Sequence, residues 1–368
     1  MAIALQAGKK AVRQLCFVFI FWFVLSITMS SSELKLSDIA SRANVSRTTV
    51  SRVLFGTGGA NVRVSEKTRA KILRIASQLD YRPNVAARIL TGKGSGIIGV
   101  LIDSQAPTIY FECLRHLERA AFELGYRLMI AQQHDNVDYL FKQTLDFRSY
   151  SVDGIISFAH SYPKFDQEIQ EFMRGIPQVV YIHKPALETA TAVQVDTESG
   201  IAMLVEHLYS RGRRRIGTFL ADLRERTMWL RHSGYLQGLK AAGLPLREEL
   251  LLFNRDFFFA TPENAKLIFT ELYVRQGVDA IICQNDLFAA FMIKEAFQHG
   301  CRVPDDLAIT GFDDLDFAAA FIPGITTIRQ PTREMAFEAV RLLHEMICGE
   351  TKPQLLTLKP ELIVRSSS

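Results

Sequence analysis

Three side chains with hydrogen-bonding tips share the polar face of a short amphipathic segment near the start of the chain. They are Arg47, Thr48 and Arg52, and the first two lie in the first turn of the helix that the pattern predicts. Arginine can form a bidentate pair with O6 and N7 of guanine, and the amide groups of a helix N-terminus can bind phosphate. The spacing therefore predicts a helix that reads bases in the major groove of double-stranded DNA.

The basic residues of the chain are concentrated around this segment. Residues 33–93 contain twelve basic and four acidic side chains, a net charge of +8. Residues 94–368 contain 28 basic and 35 acidic side chains, a net charge of −7. A basic head joined to a larger acidic body indicates that only the head meets a polyanion. The alternative is a three-helix bundle that binds no nucleic acid and whose arginines are simply solvated.

Three short helices are predicted around the arginines. Apolar residues at the spacing of one helix face predict the first helix over residues 36–43, with Ser37 as its N-cap. Ser46 is the expected N-cap of the second helix, and Ser65 that of the third. Three such helices within residues 29–82 form a helix-turn-helix domain, in which the second helix enters the major groove.

Three sequence segments in this region carry a family likeness. They read LSDIASRANVSRTTVSRVL at 36–54, VSEKTRAKILRIASQLDYRPN at 64–84 and AARIL at 86–90, and they resemble the lactose-repressor family of bacterial transcription regulators. The resemblance extends to the C-terminus and implies a repressor that binds a near-palindromic operator as a homodimer or a higher oligomer. The DNA contacts that it implies for the second helix are Ser46, Arg47, Thr48, Thr49, Ser51 and Arg52.

A hinge helix is expected between head and body, within residues 83–94. Pro83 prevents the third helix from continuing, and about seven residues are too few for a helix that is stable alone. The hinge should therefore order only against DNA and its symmetry mate. The resemblance makes Leu90 a wedge in the central minor groove, and the alternative is a linker residue docked on the body. The DNA contacts implied for this segment are Asn84, Ala87, Arg88 and Leu90.

An apolar run precedes the head. LCFVFIFWFVLSI at 15–27 follows three basic residues, as in a secretory signal, but its 13 residues are fewer than the roughly 20 that span a bilayer. A signal peptide, a short anchor and upstream sequence joined by a mistaken start codon are the three interpretations. We expect the third, with residues 1–28 as an extension and the functional chain beginning at Met29, because polar residues lead from Met29 directly into the first predicted helix. No stable membrane association is then expected.

The remaining composition argues against an enzyme and against a secreted protein. The five cysteines are scattered and form no CxxC pair, so neither a disulfide framework nor a zinc site is predicted, and a reducing cytoplasm fits. No GxSxG, HExxH or phosphate-loop motif occurs in the sequence. We therefore expect no catalytic function, no cofactor and no metal.

Short apolar runs alternate with amphipathic helical stretches beyond the head. IIGVLI at 97–102 and GIISF at 154–158 are two of these runs, and their pattern predicts parallel sheets covered on both faces. The resemblance sharpens this to a periplasmic-binding-protein-like α/β body over 95–368, made of two doubly wound parallel-sheet subdomains. The expected segments are 95–193 and 324–355 for the first subdomain, and 194–322 and 358–368 for the second.

A cleft between these subdomains is the expected site for a small-molecule effector, because ligands of open α/β sheets bind beyond the carboxyl ends of the strands. Arg231 and Asp313 match the ligand-binding arginine and aspartate of the family, and such groups form charge-assisted hydrogen bonds. An internal salt bridge between the two is the alternative. The implied effector is a sugar, a sugar acid or a nucleoside, and we prefer a carbohydrate. The expected effector-binding residues are Tyr110, Phe111, His183, Thr227, Arg231, Phe257 and Asp313.

Several of these assignments have alternatives. The aromatic residues fit a hydrophobic core equally well, and Phe257 lies in a run of three phenylalanines whose register is ambiguous. A cation at His183 or Lys184 would suit an acidic sugar, or both residues belong to a solvated loop. At the level of function, an exported or membrane-tethered solute-binding protein would share the body fold and explain the apolar N-terminus. The complete basic head favours the DNA-binding regulator.

Overall fold

The computed structural model describes residues 34–55, 64–81, 89, 94–104, 106–134, 136–158, 164–176, 178–185, 189–350 and 352–368. The chain divides into two units, Met1–Lys93 and Gly94–Ser368. The N-terminal extension 1–28 lies outside the described residues, as do the hinge residues Asn84, Ala87, Arg88 and Leu90. Within the described part of the chain, no helix has both the length and the apolar character needed to span a membrane.

The first unit contains the three helices that the sequence predicts. They are α1 (Leu36–Ala43), α2 (Arg47–Phe55) and α3 (Glu66–Gln78). Each contributes one fully buried side chain to a common core, namely Ile39, Val50 and Ile72. The three-helix head is therefore confirmed.

The helix caps of the head agree with the sequence at two of three positions. Ser46 Oγ accepts a hydrogen bond from the Thr49 N–H at 3.1 Å, and Ser65 Oγ accepts one from the Thr68 N–H at 3.2 Å. Ser37 is not the cap of α1, because the helix already begins at Leu36. There the Asp38 carboxylate instead accepts the Lys35 N–H at 2.7 Å, which satisfies a free donor of the first turn.

The second unit begins with alternating strands and helices. In chain order they are β1 (Ile97–Ile102), α4 (Thr108–Glu123), β2 (Arg127–Gln132), α5 (Val137–Ser149), β3 (Gly154–Phe158), α6 (Asp166–Arg174), β4 (Val179–Ile182) and β5 (Thr191–Val195). The next elements are α7 (Thr197–Ser210), β6 (Ile216–Leu220), α8 (Arg226–Ala241), β7 (Leu251–Phe253), α9 (Pro262–Phe269), β8 (Ala280–Ile282), α10 (Asp286–Gln298), β9 (Ala308–Thr310) and α11 (Asp316–Ala320). The last are β10 (Thr327–Arg329), α12 (Thr332–Ile347), β11 (Leu355–Leu358) and β12 (Glu361–Ile363). Short 3₁₀ turns at Glu248–Leu250 and Arg255–Phe258 flank β7, and a π-helical turn at Thr270–Arg275 follows α9.

Two parallel sheets organise this unit. The first has the strand order β11-β5-β4-β3-β1-β2, and the second has the order β7-β6-β8-β9. Helices α4 and α12 pack on one face of the first sheet, and α5 and α6 pack on the other. The second sheet lies between α7 and α8 on one side and α9 and α10 on the other. The expected pair of doubly wound subdomains is therefore confirmed.

The chain passes between the subdomains at positions that differ in part from the expected ones. Strands β10 and β12 form an antiparallel pair, and Ile325 lies in the core of the second subdomain. The segment expected at 324–355 therefore starts only at α12 and extends through β11, whose Leu358 still pairs with Val195. Three-residue strands such as β10 and β12 have too little apolar pattern to be found by sequence.

Candidate functional site

The outward side of α2 carries the predicted base-reading residues. Arg47 and Thr48 are exposed in its first turn, whereas Thr49, Ser51 and Arg52 are partly buried. Thr49 Oγ1 lies 2.8 Å from Ser46 Oγ, so this pair stabilises the helix start in addition to the backbone cap. The arrangement leaves Arg47 and Thr48 free of the core at the end of the helix that favours anions.

The other two helices fix the orientation of α2. Asn44 has φ 54°, a left-handed conformation that asparagine tolerates, and it turns the chain between α1 and α2. Lys71 Nζ of α3 donates a hydrogen bond at 2.8 Å to the carbonyl oxygen of Ala43, the last residue of α1. A cation at a helix C-terminus is favourable because it meets the negative end of the helix dipole. Val50 is fully buried, so the opposite side of α2 faces outward.

A cleft in the second unit brings together five of the seven predicted effector residues. Tyr110, His183, Thr227, Arg231 and Asp313 all line it, and its volume is about 190 Å³. It lies beyond the carboxyl ends of strands from both sheets, where open α/β folds bind ligands. Five residues chosen from distant parts of the sequence therefore share one cavity.

The two remaining aromatic residues lie elsewhere. Phe257 is 3% exposed and packs in the core of the second subdomain, with its ring centroid 5.8 Å from that of Phe219. The cleft is lined instead by Phe258, the next residue in the same 3₁₀ turn. Phe111 packs against the core of the first subdomain. The three successive phenylalanines give no pattern of apolar and polar residues that could have identified Phe258 as the one that lines the cleft.

Arg231 is a buried cation with unused hydrogen-bonding capacity. Its Nε and Nη1 atoms are buried and have no hydrogen-bond partner. The guanidinium carbon stacks 4.1 Å from the ring centroid of Phe312. Burial lowers the pKa of Arg231, while Asp313 and Tyr110 act in the opposite direction. Planar donors held in this way are suited to donating two hydrogen bonds to one ligand.

Helix α8 is held in place by close contact with α7. A Cβ atom at Gly234 would overlap the carbonyl oxygen of Glu198, and one at Gly238 would lie 2.6 Å from Val205 Cβ. Only glycine allows the two helices to approach this closely. The position of Arg231, one turn before Gly234, is therefore fixed by backbone packing.

Asp313 is the acidic counterpart in the cleft. It is 5% exposed, and its Oδ1 accepts a hydrogen bond from Gln330 Nε2 at 2.7 Å. Burial raises its pKa from 3.8 to about 8, with a further contribution from Asp286 that Arg231 opposes. Its backbone has φ 114°, which a non-glycine residue adopts only when its surroundings hold it there.

Asp286 provides part of that support. Its Oδ2 accepts the Leu315 N–H at 2.7 Å, and its Oδ1 accepts the hydroxyl of Thr327 at 2.5 Å. It is fully buried, and burial raises its pKa to about 7. Asp286, the first residue of α10, thus supports the loop that carries Asp313. The cap of α10 is Asn285, whose Oδ1 accepts the Phe288 N–H at 2.9 Å.

His183 is a neutral group in this cleft, not the cation considered from sequence. Burial, together with the nearby charge of Arg231, lowers its pKa to about 4. Its ring stacks on Tyr110 with a centroid separation of 5.5 Å. Lys184 also lines the cleft and supplies a positive charge on this side.

Several polar lining residues were not found by sequence. Gln284 and Asn285 lie two and three residues after the end of β8, so the strand-end rule that identified Asp313 applied to them as well. Asp166 and Gln170 come from α6 and carry no local signal, because only the tertiary fold brings that helix to the cleft. The further polar lining residues are Asp166, Gln170, Thr197, Arg224, Glu225, Arg226, Gln284, Asn285 and Gln330.

Comparison with known proteins decides the family. Residues 35–84 match the family described as bacterial regulatory proteins, lacI family, and residues 205–368 match the periplasmic binding protein-like domain. The HTH-type transcriptional regulator DegA of Bacillus subtilis (strain 168) is 32% identical over 335 residues, which cover 90% of this chain and 97% of DegA. The chain belongs to the lacI family of bacterial regulatory proteins.

Solved structures agree with this assignment. A complex of the transcriptional regulator CelR with cellobiose is 27% identical, covers 91% of this chain and 100% of its own, and has a TM-score of 0.67. The lac repressor dimer bound to operator and the anti-inducer ONPF is 22% identical, with coverages of 91% and 99% and a TM-score of 0.75, and it shares the fold. This lacI-family member is thus a DNA-binding transcriptional regulator with an effector-binding body.

Proposed function

We propose that this lacI-family regulator is a repressor whose affinity for a near-palindromic operator changes when a carbohydrate binds in the cleft. The observation that carries this proposal is the pair of buried, unpartnered donor atoms of Arg231. A buried donor without a partner costs about 1 to 3 kcal/mol, more when it is charged. A ligand that supplies acceptors at this point removes that cost.

The lining favours a polyhydroxylated ring. Arg231 offers donors, Asp313 offers an acceptor, and the side-chain amides of Gln284 and Asn285 add further polar atoms to the lining. Tyr110 and Phe258 add aromatic surface for the apolar face of a sugar ring. CelR, of the same architecture, is known in complex with cellobiose, which supports a carbohydrate as the class of effector.

On the DNA side, Arg47 and Arg52 read bases, Thr48 contributes to the same surface, and Ser46, Thr49 and Ser51 contact phosphate or stabilise the helix. The net charge of +8 on residues 33–93 supports this assignment. The hinge contacts of Asn84, Ala87, Arg88 and Leu90 remain predictions. The lac repressor binds its operator as a dimer, and we propose a homodimer here as well. The regulator acts in the cytoplasm, where its operator is, and by binding alone.

A thermal-shift screen tests the proposed effector class. The full chain is heated with cellobiose, glucose, gluconate, glucuronate and adenosine in separate samples. A carbohydrate present at 100 times its dissociation constant is expected to add about 2.7 kcal/mol to the free energy of unfolding. The compound that raises Tm is then added to the chain on a duplex selected from a random library, and the change in affinity is followed by fluorescence anisotropy. Stabilisation by adenosine alone contradicts the carbohydrate proposal.

A further inference from the structure

The body contains one short sequence twice, at equivalent places in its two subdomains. VDGII at 152–156 leads into β3, and VDAII at 278–282 leads into β8. In both copies the aspartate is the residue directly before the strand. Strand β3 pairs with β1, the first strand of its sheet in the chain, and β8 pairs in the same way with β6. Asp153 and Asp279 therefore occupy matched positions.

Asp153 binds the backbone of the segment that enters the body. Its Oδ1 accepts the Ser95 N–H at 2.6 Å and the Ser95 hydroxyl at 3.1 Å, and its Oδ2 accepts the Gly96 N–H at 2.7 Å. A Cβ atom at Gly94, where φ is +70°, would lie 2.6 Å from Asp153 Oδ1. The carboxylate therefore closes over the first residues of the second unit, and glycine is needed where it does so.

The neighbouring strands hold the same segment from both sides. The Arg127 N–H at the start of β2 donates to the Gly96 carbonyl at 2.8 Å, and the Asp153 N–H donates to the Ile97 carbonyl at 2.8 Å. Ser95 is 3% exposed, and its Oγ also accepts the Ile97 N–H at 3.1 Å. Residues 95–97 are thus fixed by side-chain and backbone hydrogen bonds at the edge of the sheet opposite the cleft.

Asp279 performs the same chemistry on a different connection. Its Oδ2 accepts the Arg214 N–H at 2.7 Å, and its Oδ1 accepts the Arg215 N–H at 3.0 Å. That segment arrives from α7, inside the body. The segment under Asp153 instead follows directly on Lys93, the last residue of the unit that contains the head. Both carboxylates therefore bind two successive backbone N–H groups. They differ in the segment that they bind, which for Asp279 connects two elements of the body and for Asp153 is the start of the body.

We propose that Asp153 is a positioning residue for operator recognition, because it fixes Ser95 and Gly96, the residues at which the chain enters the body, to the first subdomain. The proposal rests on the proposed function, in which two heads of a dimer read two half-sites at a fixed spacing. Linkers that leave the two bodies in a fixed direction lose less conformational freedom when both heads engage. Non-specific binding depends mainly on charge and does not need this spacing.

The matched variants Asp153→Asn and Asp279→Asn test the proposal in the full chain. Each replaces a carboxylate oxygen with an amide group that cannot accept the backbone hydrogen bond. The probes are a duplex selected from a random library by the wild-type chain and a scrambled duplex of equal length. We expect Asp153→Asn to weaken binding of the selected duplex by about tenfold, because a linker without a fixed direction loses more conformational freedom when both heads engage. Binding of the scrambled duplex is expected to stay within about twofold.

Asp279→Asn should keep the wild-type ratio of the two affinities, although both variants lower Tm. Equal loss of selectivity in both variants would show that the carboxylates matter only for stability and would overturn the proposal. So would an Asp153→Asn chain that loses affinity for both duplexes alike. A wild-type chain that prefers no duplex overturns the proposed function and this inference together, whereas a normal ratio in Asp153→Asn overturns the inference alone.

Two further measurements cover the case in which Asp153→Asn folds poorly. Ser95→Ala removes the side-chain donor to Asp153 and the acceptor for the Ile97 N–H but keeps both backbone donors to the carboxylate, so we expect the same direction with a smaller change. Hydrogen exchange of the Ser95 and Gly96 amides should accelerate in Asp153→Asn, while the amides of Arg214 and Arg215 keep their wild-type rates. Unchanged hydrogen exchange of the amides of residues 95 and 96 in Asp153→Asn would contradict the proposed role of Asp153. Wild-type selectivity between the two duplexes in both single variants, Ser95→Ala and Asp153→Asn, would contradict it as well.

Discussion

Arginine is used in opposite ways in the head and in the cleft. Arg47 is exposed on α2, whereas Arg231 has buried guanidinium atoms without partners. An exposed cation loses little solvation until DNA arrives, and it gains affinity by releasing counterions. A buried cation has already lost its water, so a small ligand with a matching acceptor gains a strong hydrogen bond. Exposed positive charge therefore suits binding of DNA, and a few buried donors in fixed positions suit binding of a small molecule.

The largest expected effect is on the buried side of this comparison. Arg231→Ala should weaken binding of the stabilising carbohydrate by about 2 to 5 kcal/mol, because a buried, charged hydrogen-bond donor is lost. Effector-free operator affinity should stay unchanged. Titration calorimetry measures the first quantity, and anisotropy measures the second. Arg302→Ala, which removes an exposed arginine paired with Asp306, is the control, and equal losses in both variants would remove Arg231 from the effector site.

Replacement of the exposed Arg47 should have a smaller effect, and the effect should be on DNA affinity instead of carbohydrate affinity. Arg47→Ala should cost about 1 to 3 kcal/mol of affinity for the selected duplex and relax the preference at one position of each half-site. Carbohydrate binding should remain at the wild-type level. Binding to a set of single-base operator variants distinguishes the outcomes. A uniform loss over all the duplexes would make Arg47 a phosphate contact instead of a base contact.

A third variant tests whether carbohydrate binding in the cleft depends on the hydrogen bond between Thr327 and Asp286. Thr327→Val removes the hydroxyl that donates to Asp286 and keeps the shape of the side chain. We expect a loss of about 1 kcal/mol in the free energy of unfolding, together with weaker carbohydrate binding, because the strained Asp313 loop loses support. Denaturant unfolding and calorimetry measure the two effects. Thr270→Val, which removes a hydroxyl bonded to the Lys266 carbonyl of α9, is the control that should leave carbohydrate affinity intact.

The stability of the body should also depend on pH, because Asp313 is a buried carboxyl group. Burial raises the pKa of Asp313 from 3.8 to about 8, so the folded chain binds this proton more tightly than the unfolded chain does. The resulting stability is fully present below about pH 4 and is lost as the pH rises through about 8. We expect Tm to fall as the pH rises from about 4 to about 8, and to fall less in Asp313→Asn. Asp286 contributes in the same direction, so some slope should remain. An undiminished slope in Asp313→Asn would contradict the assignment.

Sequence reasoning succeeded where a single local pattern determined the outcome. The apolar runs of β1 and β3 gave strand bounds that the structure reproduces, because each strand is buried on both faces. Ser46 and Ser65 were found as caps because the hydroxyl, the following helix and the spacing coincide in a few residues.

It failed where the outcome depends on distant groups. Phe257 and Phe258 are chemically identical, and only the packing of the turn against Phe219 determines which one faces the cleft. Asp286 looks like a helix cap in sequence, but its partner Thr327 is 41 residues away. The neutral state of His183 follows from burial beside Arg231, which no local pattern reveals.

The hydrogen bonds of Asp153 also indicate where a junction can be placed in a chimeric protein. All three donor groups that bind the carboxylate belong to residues 95 and 96, and the boundary between the two units lies just before Gly94. A chimera that joins a foreign reading head at Lys93 therefore keeps the whole joint with its own body. A junction placed a few residues later would replace Ser95 and Gly96, and the chimera would lose their hydrogen bonds to Asp153 although every helix of the new head still folded.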